Sequence, residues 1–168
     1  MRTLALVAVL IAAIPAFGQN HGVFRAHLVG FNEVPSVNSQ AEGHFAAVAA
    51  GDNLSFDYAL QFDGLQASVT QAHIHFSKSR INGPIIIWLC QTTAAPGPAG
   101  TQTCPQSGTI RGTVTAANVL ASPPTQQLSA GDLADMLRAM RVGAAYVNVH
   151  TSASPGGEIR GQVFLFRH

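Results

Sequence analysis

Past an N-terminal apolar run, apolar and polar residues alternate in short stretches that end at glycine, proline, asparagine or aspartate. A period of two is what a strand shows when one of its faces lies on a core. Eight stretches between such turn residues read as short strands: 23–29, 43–50, 54–62, 68–76, 84–89, 109–115, 144–151 and 159–166. Gly51-Asp52-Asn53 tolerates positive φ, so it predicts a β-hairpin between the second and third. Many short strands at this spacing predict an all-β antiparallel sandwich or barrel of about eight strands. The Pro- and Gly-rich segment 94–100 is a loop, since proline lacks a ladder donor. One stretch changes period: Leu133, Met136, Leu137 and Met140 fall at i, i+3, i+4 and i+7, predicting one short helix with Ser129 as its cap. Arg138 and Arg141 suit its C-terminal end, and Gly143 stops it. At this spacing the methionines belong to the core.

Residues 1–18 form a short basic start, an apolar run from Leu4 to Phe17 and small residues before Gln19, the pattern of a cleaved signal peptide. The run falls short of the roughly 20 apolar residues that span a bilayer, so no membrane anchor is expected. The remainder, 19–168, fits one domain, secreted or periplasmic. Within it Cys90 and Cys104 are expected to bridge, as close pairs in exported chains do. A formal net charge of +1 leaves no electrostatic footprint for nucleic acid. The protein partner cannot be read from the sequence.

Strand alternation assigns faces to the histidines. In 68–76 the core side takes Ala72, Ile74 and Phe76, leaving Gln71, His73 and His75 opposite; in 144–151 it takes Ala145, Val147 and Val149, leaving Tyr146, Asn148 and His150. If the two strands are neighbours, three imidazoles converge on the outer face of the sheet, close enough to share an ion. A three-histidine set suits copper, with zinc as the alternative; exposed histidines can also simply be solvated. Arg160 falls on the same side as the histidines. There it either steers an anion, with Asn148 beside it, or makes a surface pair with Glu33 or Glu158. Cleavage before Gln19 would place His21 third from a free amine, a square-planar arrangement suited to Cu(II). No serine-histidine-aspartate set, phosphate loop or close carboxylate pair is evident, so catalytic residues stay unassigned.

Four segments carry a family resemblance: Phe31-Asn32-Glu33-Val34-Pro35, Ala72-His73-Ile74-His75, Asn82-Gly83-Pro84-Ile85-Ile86-Ile87, and Tyr146 to Thr151 followed by Pro155-Gly156-Gly157-Glu158-Ile159-Arg160-Gly161-Gln162. Together they resemble the CHRD domain, the module named after chordin and found in exported bacterial proteins. The resemblance implies an extracellular or periplasmic β-sandwich over 19–168. The order of His-X-His, His-Thr and Gly-Glu-Ile-Arg-Gly is also distantly similar to copper-zinc superoxide dismutase, which implies an immunoglobulin-like or dismutase-like sandwich. It departs from that pattern in lacking a zinc loop and a clear fourth copper histidine, unless His44 or His27 supplies it. The expectation is therefore an exported metal-binding domain in metal handling or redox protection. The alternatives are a metal-free binding or structural module and a dismutase-like copper enzyme.

Overall fold

The computed structural model describes residues 22–166; the signal peptide expected at 1–18 and His21 lie outside the described residues. The eight predicted stretches form strands β1 (Val23–Val29), β2 (Glu42–Ala49), β3 (Ser55–Asp63), β4 (Val69–Phe76), β5 (Ile85–Cys90), β6 (Gly108–Thr115), β7 (Ala145–Thr151), β8 (Ile159–Gln162) and β9 (Phe164–Phe166). The last stretch, expected as one strand, is divided at Val163. Its two parts keep one register against β1, with Val29 opposite Arg160 and Arg25 opposite Phe164.

All named pairings are antiparallel, and the strands follow the order β5-β4-β7-β8-β1-β2-β3-β6 with β9 added to β1. The sheet curls until its two edges nearly meet. The connection after β6 bridges the gap, since the Leu120 N–H donates to the carbonyl of Ile86 at 2.8 Å. Tyr58 on β3 reaches the carbonyl of Leu89 on β5 at 3.0 Å. The result is a nearly closed barrel or sandwich.

The inward positions match the alternation. Phe24, Leu28, Phe45, Phe56, Leu60, Phe62, Ile74, Ile86, Val147 and Val149 are buried together, each fully buried large side chain contributing about 1.5–3 kcal/mol. Helix α1 (Leu133–Arg141) packs on β7 and β9 through Met136, Leu137 and Met140. Its cap is Asp132 rather than Ser129: the Asp132 carboxylate accepts from the Asp135 N–H at 3.0 Å, so the helix starts a turn later than expected. Cys90 and Cys104 are bridged, closing the segment that holds the 94–100 loop, and both are buried. Among the described residues no helix is long and apolar enough to cross a membrane.

Candidate metal centre

Strands β4 and β7 are neighbours, with His73 opposite Asn148, Gln71 opposite His150 and His75 opposite Tyr146. Two-residue spacing puts His73 and His75 on one side of β4, and the register brings His150 diagonally to His73. Ring centroids lie 5.4 Å apart for His73 and His75, 4.9 Å for His73 and His150, and 6.3 Å for His75 and His150. One ring nitrogen from each falls within 4.8 Å of the others.

The expected outer, solvent-facing position is not what the fold provides. His73, His75 and His150 are 0%, 6% and 5% exposed. Three loops and a tryptophan cover this face. Trp88 of β5 stands edge-on to His73 at 4.2 Å. The 77–84 loop brings the Gly83 carbonyl to His75 Nδ1 at 2.9 Å, and the 152–158 loop brings the Pro155 carbonyl to His150 Nδ1 at 3.0 Å. The loop before β2 is tied in as well, because Asn82 donates to the carbonyl of Val34 at 2.9 Å.

These carbonyls accept only if the two rings carry their protons on Nδ1, which leaves Nε2 of His75 and His150 with lone pairs. His75 Nε2 has no hydrogen-bond partner among the described residues, and neither nitrogen of His73 has one. Nε2 of His150 lies 2.9 Å from Oδ1 of Asn148. The Asn148 amide nitrogen lies beside Gly157, where the Glu33 carboxylate also sits, which leaves its Oδ1 toward the histidines. A neutral imidazole has one proton for two oxygens, so His150 leaves a lone pair facing Asn148. A cation at Nε2 removes that conflict.

Burial also fixes the charge state. It pushes His73 down to about 2, with His150 and His75 adding repulsion. His75 falls to about 4, mainly by burial and against the pull of the Gly83 carbonyl, and burial lowers His150 too. All three are neutral at physiological pH, the form that ligates metal. An orphaned buried imidazole with two neutral neighbours and backbone acceptors on the outer nitrogens fits a transition-metal site.

Arg160 does share this side of the sheet, but as a buried group, 2% exposed. Its guanidinium lies 3.4 Å over the Tyr146 ring and donates to the carbonyl of Ile81 at 2.8 Å and to Asn82 Oδ1 at 3.0 Å. It therefore pins the 77–84 loop over the histidines, and the surface-pair expectation fails because the loop shields it. Glu158 is committed elsewhere, accepting from Ser39, Thr151 and the Gln66 N–H. Glu33 is buried and raised to about 7, burial outweighing the opposing effect of Arg160. Gly157 makes room for it: at φ +122° it has a backbone few L residues adopt, and a Cβ there would strike the Glu33 carboxylate and Asn148. The sequence offered Glu33 only as a motif residue and a surface partner of Arg160, and Gly157 only as part of a motif. Nothing in the alternation marked them as neighbours of the site.

His27 and His44 do not join the trio. They pair with each other across β1 and β2, and β8 separates those strands from β7.

The family model for the CHRD domain matches residues 24–163. No curated protein matches the chain. No solved structure matches it either. The matched span takes in β1 to β8, the three histidines and the loops that cover them, and by this match the chain belongs to the CHRD domain family.

Proposed function

We propose that this domain binds one transition-metal ion through His73, His75 and His150, with copper the favoured ion and zinc the alternative. The observation that carries the proposal is His73: a fully buried imidazole with both nitrogens unpartnered among the described residues, facing two imidazoles whose outer nitrogens are occupied by backbone carbonyls. Leaving buried polar groups unpaired costs about 1–3 kcal/mol each, and a bound ion offsets that cost. Three neutral nitrogen donors accept copper or zinc, and the order of divalent affinities places copper above zinc. The bridged cysteines support an oxidising compartment outside the cytoplasm. The role is metal handling or redox protection there. In this role Arg160 and Asn148 are positioning groups, one holding the covering loop and the other orienting its oxygen toward His150.

Copper and zinc titrations of the protein and of His73→Ala, His75→Ala and His150→Ala, read by calorimetry and paramagnetic resonance, test it. The expected result is a tight site in the parent that each substitution weakens by at least tenfold. Equal, weak binding by all four proteins would leave the histidines a purely structural role.

A further inference from the structure

A second group of imidazoles lies on the same face of the sheet as the trio, on the far side of β8. His27 of β1 and His44 of β2 are directly opposite each other, and their rings stack with centroids 5.0 Å apart and planes at 12°. Glu42 precedes His44 by two residues and so projects from the same face. Its Oε2 is 3.9 Å from His27 Nε2, and the two side chains are 55% (His27) and 61% (Glu42) exposed. One donor atom from each of the three residues lies within 4.8 Å of the others.

Two observations separate this group from a chance surface pair. The first is rigidity. The β1–β2 ladder runs without a register shift from Val23 opposite Val48 to Val29 opposite Glu42, and β2 is held on its other side by β3. Both histidines thus stand on backbone fixed by pairing. The second is charge. Asp63 of β3 is the direct partner of Glu42, and like charges opposite each other repel. A cation relieves that repulsion. The nearest guanidinium on β1, Arg25, is held 4.1 Å over the Phe166 ring. His27 and His44 also line an open groove of about 1160 Å³, walled by Phe31, Phe164 and Phe166. An ion there would keep coordination positions for water or an exchanging ligand.

We propose that His27, Glu42 and His44 form a second metal site, exposed on the surface, that takes a divalent transition ion such as Zn²⁺ through two nitrogens and one carboxylate oxygen. The donor set is a common one for zinc. The site shares no residue with the buried trio and stands or falls without it.

The test is zinc calorimetry at neutral pH on the protein and on His44→Ala, His27→Ala, Glu42→Gln and His73→Ala, with thermal melts of each metal-free form and imidazole NMR spectra during the titration. Zinc is chosen because a free N-terminal amine with His21 third would compete for copper. His44→Ala and His27→Ala should each abolish one zinc equivalent, and Glu42→Gln should weaken that equivalent at least tenfold. His73→Ala should retain it, with the His27 and His44 ring signals still shifting. Should an alanine variant melt early, Glu42→Gln, which preserves shape, decides. Wild-type stoichiometry and affinity in all three surface variants overturns the proposal, as does a parent that binds no zinc. If only the trio fails, the parent binds one equivalent that His44→Ala removes and His73→Ala does not.

Discussion

Replacing His73 with leucine should make the metal-free protein more stable while removing its response to metal. His73 is fully buried, and its two ring nitrogens have no hydrogen-bond partner among the described residues. Each such group costs about 1–3 kcal/mol against a partnered or absent one. Leucine is close in volume, so reshaping the pocket beside Trp88 should return about 1 kcal/mol of that gain. Taking the lower end for both groups, about 2 kcal/mol, and subtracting that repacking cost leaves about 1 kcal/mol of added stability, or roughly 2–4 °C in Tm for a domain of this size. Metal reverses the order. An ion at 100 times its Kd stabilises the parent by about 2.7 kcal/mol and the variant by nothing at this site. Melts by circular dichroism, with chelator and then with excess copper, should therefore cross: variant above parent without metal, parent above variant with it. A variant destabilised by more than 2 kcal/mol in chelator, together with a parent Tm that copper leaves unmoved, would refute the argument that His73 is strained for a ligand.

Further expectations concern charge and covalent structure. Glu33, raised to about 7, holds a proton in the folded state that the unfolded chain releases above its ordinary value of 4.5. Its contribution is thus present below pH 4.5 and lost as pH rises through 7. Glu33→Gln should therefore gain on the parent in urea melts at pH 8 and lose that advantage at pH 4; a pH-independent difference contradicts this. The histidines have the opposite sign: lowered in the folded state to about 2 for His73 and about 4 for His75, they withdraw stability as pH falls below 6.5, the unfolded value. Metal-free melts of the parent and of His75→Phe from pH 7 to 4 check it, the variant losing less. Arg160→Met should free the 77–84 loop and cost at least about 2 kcal/mol, since hydrogen bonds from a charged group are worth about 1.5–3 kcal/mol; limited proteolysis should cut near Arg80. Replacing both Cys90 and Cys104 by alanine should lower stability by about 3 kcal/mol, the chain-entropy value for a loop of roughly 15 residues, and an unchanged urea midpoint would contradict it.

The strands and the inward face were legible because alternation depends only on backbone geometry. Ala72, Ile74, Val147 and Val149 announced the core side, which placed His73, His75 and His150 together on the other. What that other side meets was not legible. Alternation distinguishes core from not-core, and the 77–84 and 152–158 loops cover the second face through carbonyls that no side-chain pattern encodes. For the same reason Arg160 resembled a surface cation until Ile81 and Tyr146 closed around it. The β1–β2 register that couples His27 to His44 was equally hidden. It depends on where the chain between the two strands ends, here at Glu42 opposite Val29.

Occupancy of the buried trio by a metal ion can be seen in anomalous diffraction from crystals grown with copper or zinc, recorded on either side of the metal's absorption edge. The expected result is an edge-dependent peak bonded at about 2.0–2.1 Å to Nε2 of His75, Nε2 of His150 and a ring nitrogen of His73, with the Gly83 and Pro155 carbonyls still on Nδ1. Ordered trio side chains with no anomalous peak between them in metal-saturated crystals, whatever occupies the His27 and His44 surface, would contradict it.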